Sequence, residues 1–336
     1  MTSCEPKRPR RNFSHCASLA WLLVLAACAA PPPREEPPGL QVDAEWMQLP
    51  ADAVFGEVSA VDVDSHGHVF VLHRAGRKWE EPFPAGPILQ PTVFMFNGQS
   101  GQLLARWGAG QLWMPHGLSV DAEDKVWITD VAREQVLRFS HEGLEELVLG
   151  QRGVTGSGPA HFGRPADVAF TGNRVLVADG YLNNRIAVFS RAGTYLGELG
   201  GEGREAGEFN LPHSVTVSGG RIYVADRENA RIQVFSGAGK PLAAWAGPGR
   251  GHPYAIKPLP DGRFIAVEAR DMQDRYGAIL RVYRANGSLE ASYDAGLPGE
   301  NASLGHDLAI AADGTVYMAD NRGNRVVRFR LPERKQ

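Results

Sequence analysis

The chain has 336 residues and a formal net charge of −3, and it contains no run of basic residues beyond position 11. A nucleic-acid-binding protein is therefore not expected. All three cysteines, Cys4, Cys16 and Cys28, precede residue 29, so the rest of the chain has no cysteine pair to oxidise and depends on core burial for stability.

The first 28 residues have the features of a bacterial export signal. Basic residues between positions 7 and 11 precede a short apolar stretch, residues 17–27, which is too short for a stable membrane helix. The sequence Leu25-Ala26-Ala27-Cys28 resembles a lipobox, in which the cysteine is lipidated. We therefore expect an exported lipoprotein anchored to the cell envelope through Cys28, at the outer membrane or the periplasmic face. A cleaved signal followed by secretion is the alternative.

Residues 29–40 are rich in proline and show no apolar periodicity, so they predict an extended linker. The remaining segment, residues 41–336, is long enough for one large domain built from repeats.

One short apolar phrase that ends in aspartate recurs along this segment at a spacing of about 47 residues. Clear copies occur at residues 126–130, 175–179, 222–226 and 316–320, and weaker ones at 69–73 and 263–268. Alternating apolar runs and turn residues flank each copy, which is typical of β-hairpins. Six copies predict an all-β, six-bladed β-propeller. A solenoid is the alternative, but it needs capping repeats whereas a propeller closes on itself. The form Asp-x-x-Asn-x-Arg-Ile at residues 226–232 resembles the NHL repeat, which forms propellers.

Residues that recur in every repeat serve the fold, so we expect the repeated aspartates to cap turns rather than to catalyse. The informative residues are those that break the repeat. His116, His213 and His306 each lie 13 or 14 residues before the repeated aspartate, at the start of the innermost strand of the second, fourth and sixth blades. Alternate blades of a six-fold ring are about 120° apart, so these imidazoles can meet on the axis. Three neutral imidazoles favour Zn²⁺ and leave an open position, with iron or copper as alternatives.

The positions just after the repeated aspartate lie on the same face as the histidines, because adjacent strands are antiparallel. Arg74 and Arg227 occupy this position in opposite blades, and Tyr181 is the only aromatic residue one position further on. Two guanidinium groups facing a metal predict a site for a carboxylate. Asp307 is a further departure from the repeat, and it predicts either a Ca²⁺ ligand or an ion pair with an arginine.

Together these residues resemble the peptidyl-α-hydroxyglycine α-amidating lyase family, which includes the second catalytic domain of peptidylglycine α-amidating monooxygenase. The resemblance covers residues 45–330 and includes the residues that break the repeat. The matching stretches include Val58-Ser59-Ala60-Val61, His73-Arg74, Pro115-His116-Gly117-Leu118, Asp179-Gly180-Tyr181, Leu211-Pro212-His213-Ser214, Asp226-Arg227 and His306-Asp307.

The resemblance implies a six-bladed propeller with two metal ions. Catalytic Zn²⁺ would be held by His116, His213 and His306. Structural Ca²⁺ would be held by Asp307 and by the backbone carbonyls of Val61 and Leu118. The implied reaction splits a peptide ending in α-hydroxyglycine into a peptide amide and glyoxylate. In this scheme Tyr181, as a phenolate, removes the hydroxyl proton, and Arg74 and Arg227 stabilise that phenolate and hold the substrate carboxylate.

The chain lacks the monooxygenase domain of that family's longer members, so we expect a separate enzyme to supply the hydroxylated substrate and this chain to be a monomer. Two other functions are alternatives to a lyase. A non-catalytic NHL-repeat binding or scaffold lipoprotein is the main alternative, since fold does not fix function. A propeller lactonase is disfavoured because such sites generally use acidic and amide ligands.

Overall fold

The computed structural model describes residues 39–247, 249–270, 277–296 and 303–332. The predicted signal peptide, Cys28 and most of the predicted linker lie outside these ranges. Within them the strands form six antiparallel sheets of four strands each, which confirms the predicted six-bladed β-propeller.

Each blade is a meander whose first strand is innermost and whose last strand is outermost. Strand β1 (Gln41–Asp43) precedes the first meander. Blade 1 contains β2 (Val58–Val63), β3 (His68–His73), β4 (Val93–Asn97) and β5 (Leu103–Trp107). Blade 2 contains β6 (Pro115–Val120), β7 (Val126–Asp130), β8 (Gln135–Phe139) and β9 (Glu145–Leu149). Blade 3 contains β10 (Asp167–Thr171), β11 (Arg174–Asp179), β12 (Arg185–Ser190) and β13 (Tyr195–Gly200).

The remaining blades follow the same order. Blade 4 contains β14 (Pro212–Ser218), β15 (Arg221–Asp226), a 3₁₀ turn at Arg227–Asn229, β16 (Arg231–Ser236) and β17 (Pro241–Trp245). Blade 5 contains β18 (Pro253–Pro258), β19 (Phe264–Glu268), β20 (Ile279–Tyr283) and β21 (Leu289–Asp294). Blade 6 contains β22 (Gly305–Ile310), β23 (Val316–Asp320) and β24 (Arg325–Arg330).

The ring is closed by β1, which pairs with β24 as the fourth strand of blade 6, in the register Gln41 opposite Arg330. Both ends of the propeller thus contribute to one sheet. The six innermost strands contact one another in sequence around the ring. Their starting ends define the face at which the histidines were predicted to meet.

The core consists of six apolar layers between neighbouring blades, because each sheet is buried on both faces. One such layer packs Phe70 and Leu72 of blade 1 against Leu118 and Ile128 of blade 2. The outer strands instead alternate between half-buried and exposed residues, as in β13. The β-branched and aromatic residues of the repeated phrase therefore lie in buried strands, where such side chains pack well.

The repeated aspartates cap turns, as the sequence predicted. Asp130 accepts hydrogen bonds from the backbone N–H groups of Met114 (3.0 Å) and Arg133 (2.9 Å). Asp179 accepts one from the N–H group of Gly163 (2.7 Å) and pairs with Arg185. These carboxylates tie the turn after each second strand to the segment that enters the blade, and so fix the starting point of the innermost strand.

Within the described ranges, no helix has the length and apolar character that a membrane crossing requires.

Candidate active site

A β-bulge near the start of the innermost strand orients the side chains that face the axis. The regular pairing is interrupted between Pro115 and Leu118 in blade 2, and at the corresponding point of blades 1, 4, 5 and 6. A bulge adds an unpaired residue and re-aims its side chain. The interruptions span Ser59, His116, His213, Tyr254 and His306, and Ala166 takes the equivalent place in blade 3.

The three predicted histidines converge on the axis, and we call them the histidine triad. The ring centroids of His116, His213 and His306 are 4.8 to 4.9 Å apart, and one ligand nitrogen from each lies within 4.8 Å of the others. The alternate-blade spacing found in the sequence therefore corresponds to a real cluster.

Each ring of the triad is held in one tautomer by the blade that follows it. Nδ1 of His116 donates to the Ala166 carbonyl (2.8 Å), Nδ1 of His213 to the Tyr254 carbonyl (2.8 Å) and Nδ1 of His306 to the Ser59 carbonyl (2.6 Å). A carbonyl can only accept, so each Nδ1 carries a proton and each Nε2 keeps its lone pair. Metal-binding histidines are typically oriented in this way.

Close packing keeps this arrangement in place. A Cβ atom on Gly117, the residue after His116, would lie 2.3 Å from the Ala166 carbonyl oxygen, so only glycine fits there. A Cβ atom on Gly180, which precedes Tyr181, would lie 2.1 Å from the carbonyl oxygen of Pro212. Both glycines allow neighbouring blades to approach beside a site residue.

Burial keeps the triad neutral. It lowers the pKa of His306 to about 3 and those of His116 and His213 well below the ordinary histidine value. Among the described residues, Nε2 of His213 has no hydrogen-bond partner although it is buried. Three neutral imidazoles, one with an unsatisfied acceptor, are a donor set suited to a transition metal. A space of about 10 Å³, lined by the triad and its neighbours, lies at this point of the channel.

Tyr181, in the turn after β11, brings a phenol to the triad. Its Oη lies 2.9 Å from Nε2 of His116, and the two rings meet edge to face at a centroid distance of 5.3 Å. The residue is half-buried.

Arg74 is buried at one side of the tyrosine and is fixed by two contacts. Its Nη1 pairs with Glu57 (2.7 Å), and its Nε donates to the Pro115 carbonyl (3.3 Å). Burial lowers its pKa, although Glu57 and Tyr181 act in the opposite direction. Arginine stays protonated in proteins, so the site contains a fixed positive charge.

Arg227 faces Tyr181 from blade 4. Its guanidinium carbon lies 5.4 Å from the centre of the Tyr181 ring and 5.1 Å from that of Tyr254. Burial alone would lower its pKa, but Tyr181, Tyr254 and Glu228 outweigh burial and raise it. The two predicted arginines and the predicted tyrosine are therefore brought together beside the triad.

Sequence reasoning missed a segment that covers this face. Residues 75–92, between β3 and β4, form what we call the strap, and its Trp79 lies 5.3 Å from Tyr181 and 5.7 Å from His116 between ring centroids. Phe83 packs edge-on against Trp79 at 4.9 Å. The corresponding connections of blades 2, 3, 4 and 6 have only four or five residues, so the repeat provided no register in which to place the strap.

Two arginines fasten the strap to the propeller. Arg164 of the blade 3 entry pairs with both carboxylate oxygens of Glu81 (2.7 and 3.0 Å) and lies over the Phe83 ring. Arg77 donates to the carbonyls of Gly86 and Trp113. The strap therefore forms a fixed aromatic wall beside the histidines.

Asp307 lies deeper in the channel, below the triad. Its Oδ2 accepts a hydrogen bond from the N–H of Val61 (3.1 Å). The N–H and C=O of a strand residue point to the same side, so the Val61 carbonyl also faces the channel edge. Val120 donates to Asp62 (2.7 Å) across the same edge, and Leu118, two residues earlier, has the same alignment. The three predicted Ca²⁺ ligands thus lie on the channel edge of adjacent blades.

Sequence reasoning also missed the charges that surround Asp307. Burial and the nearby Asp167 raise its pKa to about 7, while Lys257 opposes this shift. Asp167 occupies in blade 3 the position that Asp307 holds in blade 6, and this shared register could have identified it. Among the described residues, the cation that acts on Asp307 is thus Lys257, whereas an arginine was the predicted alternative.

Known proteins are similar to this chain over most of its length. A model of the NHL repeat matches residues 209–235. Peptidyl-glycine alpha-amidating monooxygenase A of Xenopus laevis is 33% identical over 315 residues, which cover 86% of this chain and 33% of that protein. A probable peptidyl-alpha-hydroxyglycine alpha-amidating lyase of Caenorhabditis elegans is 30% identical over 303 residues, which cover 82% of this chain and 83% of that protein.

The chain thus spans about a third of the length of the monooxygenase, but most of the nematode lyase. Among solved structures, catalytically inactive virginiamycin B lyase from Staphylococcus aureus matches with a TM-score of 0.55 at 15% identity, covering 86% of this chain and 84% of that one. A likeness at this level of identity shows the propeller fold alone.

Proposed function

The chain belongs to the peptidyl-α-hydroxyglycine α-amidating lyase family, and we propose that it cleaves peptides or N-acyl compounds that end in α-hydroxyglycine into an amide and glyoxylate. One observation carries this proposal: three imidazoles with unprotonated Nε2 atoms, a phenol and two guanidinium groups share one mouth of the channel. A scaffold surface needs no such convergence of buried polar groups.

The histidine triad would hold Zn²⁺ through its three Nε2 atoms. The protonated Nδ1 atoms and the unsatisfied Nε2 of His213 support this assignment. When bound, Zn²⁺ would supply Lewis-acid polarisation of the substrate's hydroxyl or carboxylate oxygens.

Tyr181 would act as the general acid–base group that transfers a proton in this reaction. Breaking the bond between the α-carbon and the amide nitrogen requires that the hydroxyl lose a proton and that the leaving nitrogen gain one. A tyrosine in its phenolate form can accept the first proton and return it to the nitrogen, so no redox cofactor and no net proton are needed. The 2.9 Å contact with His116 shows that the Tyr181 hydroxyl lies within reach of the centre of the site.

The two arginines would have partly different roles. Both carry positive charge beside Tyr181, and positive charge favours a phenolate. Arg227 also has the better position to bind the substrate carboxylate, because its ion pair with the adjacent Glu228 is made through Nε, at 3.0 Å. Arg74 is bound to Glu57 and to the Pro115 carbonyl, so it acts mainly as a fixed charge.

Asp307, with the carbonyls of Val61 and Leu118, would hold Ca²⁺ as a structural ion. The carboxylate and the direction of these carbonyls support the proposal, since Ca²⁺ prefers oxygen ligands. Lys257 provides competing positive charge in the same channel. Because the ion would join three adjacent blades, removal of Ca²⁺ should lower the thermal stability of the protein, and an unchanged melting temperature would contradict this role.

The setting of the enzyme also belongs to the proposal. An exported lipoprotein held at the cell envelope through Cys28 would act on a substrate hydroxylated by a separate enzyme. Membrane fractionation of cells that produce the wild type or Cys28→Ser would test the anchor.

The activity itself can be tested with N-benzoyl-α-hydroxyglycine and the purified full chain. We expect equal amounts of benzamide and glyoxylate, lost on chelation and restored by Zn²⁺. If the zinc-loaded protein releases no glyoxylate above the spontaneous rate, the lyase assignment fails and the scaffold alternative gains support.

A further inference from the structure

A second group of metal-binding side chains lies at the opposite face of the propeller. Strand β2 begins at the active-site face and ends at Val63, so the turn that follows it lies at the other face. This turn contributes Asp64, and β3 starts with His68. His141 comes from the turn between β8 and β9 of the next blade. We call Asp64, His68 and His141 the blade-turn cluster.

The geometry of the cluster is compact. Oδ2 of Asp64 accepts hydrogen bonds from Nδ1 of His68 (2.8 Å) and from Nε2 of His141 (2.8 Å). One ligand atom from each residue lies within 4.8 Å of the others. The other carboxylate oxygen, Oδ1, is fixed by the backbone N–H groups of His66 (2.9 Å) and His68 (2.8 Å). The carboxylate is therefore rigidly held, with its free edge directed at two imidazoles.

The next blade interface provides an internal comparison. Asp121, in the equivalent turn of blade 2, also accepts backbone N–H groups through Oδ1, here from Glu123 and Lys125. Its Oδ2, however, is bound by Trp127 Nε1 (2.9 Å) and by Arg191 Nη1 (2.6 Å). Neither indole nor guanidinium binds metals. The fold thus requires only hydrogen-bond donors to this carboxylate oxygen. At the interface between blades 1 and 2 the two donors are histidines, which can also bind a metal.

We propose that Asp64, His68 and His141 bind a divalent transition-metal ion that bridges blades 1 and 2. Two imidazoles and one carboxylate are a common ligand set for Zn²⁺ and its neighbours in the first transition series. The Asp64 side chain is 0% exposed, whereas those of His68 and His141 are 28% and 24% exposed. The anionic ligand is therefore buried, while solvent can reach the imidazoles and supply the ion and any further ligand.

The protonation of the cluster is compatible with metal binding. Burial raises the pKa of Asp64, but hydrogen bonds from His141 and His68 outweigh it and hold the pKa below the ordinary value, so the carboxylate is ionised at neutral pH. Nδ1 of His68 and Nε2 of His141 each lose a hydrogen-bonded proton when they become ligands. A neutral imidazole can carry its proton on the other ring nitrogen instead, so binding requires a change of tautomer at both histidines.

The test compares zinc content in four forms of the full chain. Wild type, His141→Asn, His213→Asn and the double variant are dialysed against the same free Zn²⁺ concentration and analysed for metal. We expect His141→Asn to lower the zinc content by one ion per chain both in the wild type and in the His213→Asn background. Affinity at the cluster should fall by about 100-fold or more, because even outer-shell changes cost 10 to 100-fold.

The design separates this site from the histidine triad. If the proposed catalytic zinc is wrong, His213→Asn changes nothing but His141→Asn still removes one ion. His68→Asn should act like His141→Asn although it lies in a different blade. Arg191→Gln is the matched control, since it removes the equivalent partner at the next interface, and it should leave zinc content unchanged.

Unchanged zinc content in His141→Asn within the His213→Asn background would overturn the proposal and leave the cluster as a hydrogen-bonded turn cap. Should a variant fail to fold, anomalous diffraction at the zinc edge from wild-type crystals decides the matter. A peak between Asp64 and His141 is expected, and its absence at saturating Zn²⁺ contradicts the site.

Discussion

The Tyr181 hydroxyl lies 2.9 Å from Nε2 of His116, the ring nitrogen that keeps its lone pair because Nδ1 donates its proton to the Ala166 carbonyl. This contact joins the turn after β11 in blade 3 to the innermost strand of blade 2. It places an acid–base group directly beside a position suited to a metal ligand.

Replacing Tyr181 with phenylalanine should remove the acid–base group without disturbing the fold. Positioned general acid–base groups contribute about 10² to 10⁴-fold to rates, so we expect kcat to fall within that range while KM changes little. Steady-state glyoxylate release and zinc content should be measured on the same preparation. Loss of activity with unchanged zinc content supports the assigned role, whereas activity close to wild type would rule it out.

Replacing Arg227 with methionine should weaken recognition of the substrate carboxylate. A hydrogen bond to a charged group contributes about 1.5 to 3 kcal/mol, which corresponds to about 10 to 100-fold in kcat/KM. The loss should be smaller for a substrate whose carboxylate is replaced by a neutral amide, because only the effect of Arg227 on Tyr181 is then lost. Arg191→Gln, at the opposite face, serves as the control. An equal loss with both substrates would mean that Arg227 does not bind the carboxylate.

Replacing Trp79 with alanine should remove the apolar wall of the strap. Burying a large apolar side chain contributes about 1.5 to 3 kcal/mol, so substrates with an aromatic acyl group should lose about tenfold or more in kcat/KM. N-acetyl-α-hydroxyglycine, whose acyl group can bury less apolar area against the Trp79 ring, should lose less. Leu89→Ala, at a strap residue that is 74% exposed, is the matched control. Equal losses for both substrates would contradict a role in acyl-group recognition.

His73 should make the fold sensitive to acid. Burial lowers the pKa of this histidine to about 3, so the unfolded chain binds a proton below pH 6.5 that the folded chain does not. Stability is therefore lost as pH falls from 6.5 towards 3, by about 1.4 kcal/mol per pH unit from this residue.

The variant His73→Asn keeps an acceptor for the N–H of Ala75, which bonds to Nδ1 at 3.1 Å in the wild type. Its free energy of unfolding in urea should fall less steeply between pH 6.5 and 4.5. Identical slopes for the two proteins would show that His73 does not cause this dependence.

The fold could be predicted because each blade repeats the same physical requirements. Six copies of one strand phrase define six sheets, and the shared register brings His116, His213 and His306 to one height. The same register located Arg74, Tyr181 and Arg227, since all of them follow the end of a second strand. The position of a residue within its repeat therefore predicts where that residue lies in the propeller.

The features that the sequence did not predict do not follow from a position in the repeat. Trp79 lies in a connection that is much longer than its counterparts in blades 2, 3, 4 and 6. The contact of His141 with Asp64 joins turns of two different blades, and the equivalent position at the next interface is occupied by Arg191, a residue of a different type, so the sequence shows no repeated pair there. The pairing of β1 with β24 likewise depends on closure of the whole ring.

The most direct test of the central claim is a zinc titration of the metal-free full chain, with glyoxylate release measured at each step. Activity should rise with zinc bound at the histidine triad and stay at background in His213→Asn at every zinc concentration. A wild-type protein that binds zinc at the triad yet releases no glyoxylate from N-benzoyl-α-hydroxyglycine would contradict the assignment.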